Sequence, residues 1–168
     1  YKLKQGFYHQ LQQNALQVNN RNGRFMETAH FSGVSATDWS WGALIFDADN
    51  DGLQDLYVCN GIYKDVIDQD FIDFFANELY QKMAISGEKA EMKQIVDKMP
   101  SVPVLNKCFK NEGNLKFSDA GISWGFGQPS FSNGAAYADL DNDGDLDLVV
   151  NNVNMPSFVY KNNAREQK

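Results

Sequence analysis

Apolar residues along this chain fall into short runs separated by polar corners. "WGALIFD" and "NGAAYAD" each lead into an acidic turn, and "DLYVCN" and "DLDLVVNN" lead out of it. Runs of this length, rich in aromatic and β-branched residues and bounded by Gly, Asn and Asp, predict strands joined as hairpins. "NKCFKN" and "LKFSDA" follow the same pattern, as do "NALQVNN" and "RFMETA" nearer the start. One segment breaks the rhythm. In "DQDFIDFFANELYQKMAIS", Phe71, Phe74, Phe75, Leu79 and Met83 recur at helical spacing, with Asp68 or Asp70 placed to cap the first turn. "GEKAEMKQIVDKMP" predicts a weaker second helix through Met92, Ile95, Val96 and Met99, stopped at Pro100. The apolar stripe is expected to pack on its own domain rather than await a partner.

The strands repeat. Shifted by 92 positions, Asn14 falls on Asn106, Phe25 on Phe117, Gly33 on Gly125, Ser40 on Ser132, and Gly42-Ala43 on Gly134-Ala135. Leu56, Val58 and Asn60 likewise fall on Leu148, Val150 and Asn152. A shorter offset of 51 relates "KCFKN" to "FVYKN", so the helical segment is an insertion into one copy. Four short strands per period, with Gly-rich joints, suit a β-propeller blade. The expected fold is mainly β: a fragment of a β-propeller, one full blade plus parts of two neighbours, with a two-helix insertion. Residues 1–61 would hold the end of one blade and the first two strands of the next. Residues 62–105 would be the insertion, and 106–168 the last strands of that blade and the start of a further one. Such a piece leaves sheet edges unpaired, and self-association through them is an expected partner mode.

The two acidic turns are "DADNDGLQD", from Asp47 to Asp55, and "DLDNDGDLD", from Asp139 to Asp147. Carboxylates this close repel one another unless a cation offsets them. In the first turn Asp47, Asp49, Asp51 and Asp55 supply side-chain oxygens; in the second, Asp139, Asp141, Asp143 and Asp147 do so. Leu53 and Asp145 share one position and differ in side chain, which fits a role for the backbone carbonyl alone. Gly52 and Gly144 permit the bend that folds these oxygens around a point. Hard oxygen donors in that number select Ca²⁺, whereas Mg²⁺ wants a smaller octahedron and zinc wants His or Cys. Two calcium sites are therefore expected. A helix–loop–helix calcium hand is disfavoured, because its bidentate Glu is replaced by Val58 and Val150 and the flanks read as strands. A metal-free Asx turn needs fewer acidic residues than these loops place in register.

Charge changes the picture only locally. The formal net charge is −7, and these loops carry nine aspartates, so the remainder of the chain is close to neutral. No basic cluster is present, and nucleic acid is not an expected partner. No apolar stretch approaches the roughly 18 residues that span a bilayer. The opening "YKLKQGFYHQ" has neither an initiator Met nor a signal peptide and reads as part of a longer protein. Cys59 and Cys108 are too few for a disulfide framework; buried free thiols are the favoured reading, with pairing left open. His9 and His30 stand alone, and no serine elbow, phosphate loop or Cys–His pattern appears. Calcium modules outside cells bind at about 10⁻⁴–10⁻³ M and use the ion as folding free energy. An extracellular, cell-surface or periplasmic location follows as the expectation.

With Gly42-Ala43 leading into Asp47–Asp55, and Gly134-Ala135 into Asp139–Asp147, the repeats resemble the FG-GAP/VCBS family. Integrin α-subunit propellers and many bacterial secreted proteins are of that kind. The Phe-Gly pair of the motif is replaced here by Trp41-Gly42 and Asn133-Gly134. The resemblance carries the calcium ligands to Asp47, Asp49, Asp51, Leu53 (carbonyl) and Asp55, and to Asp139, Asp141, Asp143, Asp145 (carbonyl) and Asp147. "NGAAYADLDNDGDLDLVVNNVN" is similar to bacterial secreted VCBS proteins of the ASPIC/UnbV-associated type, though the pattern of that terminal domain is not found in this chain. The resemblance implies a calcium-stapled propeller used for binding or adhesion, without catalysis, toward a protein or carbohydrate ligand. The alternative is a polysaccharide-processing enzyme or its carbohydrate-binding portion. Trp39, Trp41, Trp124, Tyr57, Tyr63 and Phe131 would be its aromatics. Trp39 and Phe131 hold equivalent repeat positions and read as core, while Tyr63 lies outside the repeat and reads as surface. The Asp-x-Ser-x-Ser metal motif is absent, so metal-bridged ligand capture is not expected.

Overall fold

A computed structural model describes residues 13–65, 68–86 and 96–166, which form nine strands in three antiparallel sheets. β1 (Gln17–Asn19) pairs with β2 (Phe25–Glu27), followed by the short α1 (Ala29–Ser32). β3 (Ser40–Phe46), β4 (Asp55–Asn60), β5 (Lys107–Asn111) and β6 (Phe117–Asp119) make a four-stranded sheet in chain order. α2 (Gln69–Ser86) is spliced between β4 and β5. β7 (Ser132–Ala138), β8 (Asp147–Asn152) and β9 (Phe158–Tyr160) make a three-stranded sheet, again in chain order. The fold is mainly β, with the meandering sheets of a propeller-like fragment.

β4 shows why the sheets stack. All six of its residues are buried. Leu56 and Val58 point to one side, where they join Ala29, Val34 and Phe109 and meet Leu16. Tyr57 and Cys59 point to the other, where they join Phe46, Cys108, Leu148 and Val150. A strand sandwiched between two layers loses the alternation of a half-exposed strand and reads as a continuous apolar run. Both cysteines are free and buried, and burial pushes the Cys59 thiol up to about 11.

Adjacent sheets meet closely at their first strands. In β3 the register jumps between Ser40 and Ala43, and in β7 between Ser132 and Gly134, so each strand carries a bulge at the same repeat position. A Cβ on Gly42 would lie 3.5 Å from the Cα of Gly134. The first strands of the two sheets therefore approach to van der Waals contact here.

A buried polar joint reinforces it. Asn106, 3% exposed, donates from Nδ2 to Ser132 Oγ at 2.8 Å and to Ser130 Oγ at 3.3 Å. Its Oδ1 accepts the Asn60 backbone N–H at 2.8 Å. Ser132 Oγ donates to Asn152 Oδ1 at 2.7 Å, so its single proton is spent there and Ser130 must donate to it. One joint earlier, Asn14 Nδ2 donates to Thr37 Oγ1 at 2.9 Å, and Thr37 in turn bonds Ser40. The Asn14/Asn106 repeat thus marks successive joints between sheets.

The insertion is anchored at a neck. Asp65 N–H donates to Pro100 O at 3.0 Å, and Lys64 Nζ donates to Met99 O at 3.2 Å. Gly61, at φ +110°, sits where a Cβ would fall 2.7 Å from Ser130 O, so no other residue fits without moving β7's lead-in. Asp68 accepts the Phe71 N–H at 2.7 Å and caps α2. Phe71 stacks on Phe75, which is buried, with centroids 5.1 Å apart. Ile72 and Ile85 face solvent. The side chains of Phe74, Leu79 and Met83 lie outside the described residues, as does most of the second expected helix; residues 96–98 are helical.

Candidate metal centre

Each acidic turn closes a hairpin, β3–β4 or β7–β8, and folds on its own backbone. Asp47 accepts the N–H groups of Asp51 at 3.1 Å and Gly52 at 2.9 Å. Asp139 accepts those of Asp143 at 3.1 Å and Gly144 at 3.0 Å. Asn50 and Asn142 take left-handed φ of 57° and 62°, and Gly52 and Gly144 take 90° and 89°. Asn and Gly reach that region most cheaply, which is why Asn-Asp-Gly recurs at this corner.

The last Asp of each motif is deeply enclosed. Asp55 is fully buried; its Oδ2 accepts the Ala48 N–H at 2.9 Å and its Oδ1 the Asn111 N–H at 2.8 Å. Asp147 repeats this with Leu140 at 3.0 Å and Asn162 at 2.8 Å. Burial raises the Asp55 carboxyl above the ordinary carboxylate range.

Carboxylate oxygens of Asp47, Asp49 and Asp55 lie within 4.8 Å of one another, and those of Asp139, Asp141 and Asp147 do the same. Oxygen ligands at about 2.4 Å from a calcium-sized ion sit up to about 4.8 Å apart, so each cluster is the right size to hold one ion. The donors are hard oxygens, with neither His nor Cys among them. Asp143 Oδ2 is enclosed beside the second cluster, where the Lys161 ammonium lies 3.3 Å from it. The residues fit an oxygen-seeking metal ion. Asp51 and Asp143 fall outside the two converging triplets: Asp51 Oδ1 accepts Leu53 N–H and Asp143 Oδ1 accepts Asp145 N–H, each at 2.9 Å.

Lysines reach the same carboxylates. Lys110 Nζ bonds Asp49 and also Asp51 Oδ2, the latter at 2.8 Å. Lys161 Nζ lies 2.5 Å from Asp141 Oδ2 and 3.3 Å from Asp143 Oδ2. The Lys110 ammonium holds the Asp51 carboxyl below its ordinary value, and the Asp145 N–H does the same for Asp143. Sequence reasoning passes over these lysines and the asparagines beside them. Their signal is the "KN" pair shared by "KCFKN" and "FVYKN", which there serves only to set the period.

Asp145 holds more than a backbone position. Its side chain is 1% exposed and accepts Asn50 Nδ2 at 2.7 Å and the Arg165 N–H at 2.9 Å. Leu53, its counterpart in the first loop, is exposed. The aromatics divide. Tyr57 and Phe131 are buried, and Trp39 is half-buried and stacked on Trp41, itself 54% exposed. Tyr63 stands edge-on to Phe131 at the neck and is 36% exposed. A cleft of 540 Å³ beside the first loop is lined by Trp124, Phe126, Tyr160, Asp49 and Asn163, among others.

No curated protein matches the chain. Residues 101–150, which run from the lead into β5 through the second acidic loop into β8, match the family of FG-GAP-like repeats, and over that span the chain is similar to one such repeat.

Proposed function

We propose that this chain is a calcium-stapled β-propeller module whose sheets serve as a non-catalytic binding scaffold. The observation that carries it is the convergence of three carboxylates in each loop to within 4.8 Å, twice, at the same place in the repeat. Calcium at both loops would tie β3 to β4 and β7 to β8. The weak affinity of such extracellular sites, about 10⁻⁴–10⁻³ M, makes a secreted, cell-surface or periplasmic setting the natural one. No helix among the described residues is long and apolar enough to cross a membrane. The bacterial secreted VCBS type is the finer reading, supported by the "YADLDNDGDLDLVVNN" pattern. A protein or carbohydrate would be its ligand, and open edges of β6 and β9 would favour self-association.

Thermal melting in chelator and in excess calcium tests the staple. At calcium about a hundredfold over Kd, each filled site adds about 2.7 kcal/mol, which raises Tm by roughly 5–10 °C. Coincident melting curves in EGTA and calcium would end this reading.

The lysines supply a sharper check. Lys110 pairs with Asp49, a member of the first converging triplet, and with its neighbour Asp51. A unit charge about 5 Å from a divalent ion costs about 1.7 kcal/mol in water. We therefore expect Lys110→Met to tighten calcium binding at the first loop roughly tenfold in calorimetry while leaving the second loop unchanged. Weaker binding would show that the ammonium supports the site rather than competing for it.

A second reading, the carbohydrate-binding portion of a polysaccharide-processing enzyme, is favoured by the aromatic cleft of Trp124, Phe126 and Tyr160 beside Asp49. An oligosaccharide screen with product analysis separates the two, since bond cleavage would replace the scaffold by an enzyme.

A further inference from the structure

The two acidic loops touch. Asn50, in the first loop, donates from Nδ2 to Asp145 Oδ1 of the second at 2.7 Å. Asp145 is almost fully buried, and Arg165 also holds it, through its N–H on Oδ2 at 2.9 Å and its guanidinium Nε on Oδ1 at 3.4 Å. Arg165 also donates to the Asp143 carbonyl at 3.0 Å. A second link runs through Asn162. Its Nδ2 donates to Ala48 O in the first loop at 2.7 Å and to Leu146 O in the second at 3.3 Å. Its backbone N–H caps Asp147 at 2.8 Å, inside the second cluster. Positions two and four of one loop are thus bonded to the frame of the other.

We infer that the two loops take up calcium as a coupled pair, each filled site raising the affinity of the other. This rests on the calcium reading above. An ion in the first loop fixes Asp47 and Asp49, which flank Ala48 and precede Asn50, and so fixes the donor to Asp145 and the acceptor for Asn162. The second loop then binds its ion with part of its ordering already done, and coupling through shared order is positive. Linkage makes it reciprocal, with the same factor read from either side. Repulsion between the two divalent ions opposes this coupling and weakens with added salt. The contact explains an asymmetry in sequence: Asp145 is acidic because a neighbouring loop's Asn reaches it, and Leu53 is not.

Calcium chloride titrations of the full chain at 0.15 M salt test it. Asp47→Ala disables the first loop, and Asp139→Ala the second. We expect the surviving site in each variant to bind about tenfold more weakly than it does beside a filled partner, and by the same factor in both. Asn50→Ala keeps every carboxylate of the first loop and should lower the coupling factor, leaving only what the Asn162 link carries. Single-loop variants that match the wild-type affinities, unequal factors, or coupling undiminished in Asn50→Ala would each overturn the inference while leaving calcium binding intact. A wild-type chain that takes up no calcium would overturn both.

Discussion

Asp55→Ala is expected to lower stability by about 3–5 kcal/mol even in chelator, far beyond the effect of Asp47→Ala under the same conditions. Both carry a carboxylate of the first cluster, but they stand differently in the fold. Asp47 bonds amides of the exposed turn itself, Asp51 and Gly52. Asp55 is fully buried, and its two oxygens satisfy Ala48 on one side and Asn111 of β5 on the other. Truncating it orphans two enclosed amides at about 1–3 kcal/mol each, with part of the bond to a charged acceptor lost as well. Burial pushes the Asp55 carboxyl above its ordinary range, and the Asn111 and Ala48 amide bonds oppose that by favouring the charged form. Urea unfolding of Asp55→Ala, Asp55→Asn and Asp47→Ala in EGTA checks this. Asn keeps one acceptor and should fall between. Equal midpoints for the Asp55 and Asp47 alanine variants would reduce Asp55 to a metal ligand only.

Asn106→Ala is the second large effect, expected to cost about 2–4 kcal/mol while leaving calcium affinity at both loops unchanged. Asn106 joins Asn60 on β4 to Ser130 and Ser132 at the start of the next sheet, through a chain of bonds that ends at Asn152. Removing it leaves the Asn60 amide and a buried serine pair short of partners. The acidic loops lie at the opposite end of both hairpins, beyond Phe46 and Ala138. The check is denaturant unfolding paired with a calcium titration below the melting range. A changed calcium affinity would mean that the joint and the loops do not act independently.

Much of the scaffold was legible in the chain itself. Strand runs appear where expected because each is bounded by residues that cannot continue a strand. Subtracting two repeat offsets places an insertion at residues 62–105, and α2 lies between β4 and β5. The acidic loops could be read because the carboxylates that converge in each lie close together in sequence. What escaped was contact made across the chain. Lys110 and Lys161 look like ordinary strand-end charges until β5 and β9 lay them against the loops. Asp145 looked like a backbone donor because nothing local reveals that Asn50, far earlier in the chain, bonds it. Trp41 stands exposed because the bulge at Trp41-Gly42 turns it outward, where its Nε1 donates to Gly61 O at 2.6 Å. Periodicity alone does not locate that kink.

The closed neck of the insertion has an evolutionary corollary. Because the Asp65 N–H donates to Pro100 O, the chain leaves the sheet and returns to it at one place. Loop-closure entropy grows only with the logarithm of length, so a longer or shorter excursion there changes the sheet's stability little. The blade can therefore accept different cargo at this corner over generations, while Gly61 and Asn106 keep the socket unchanged.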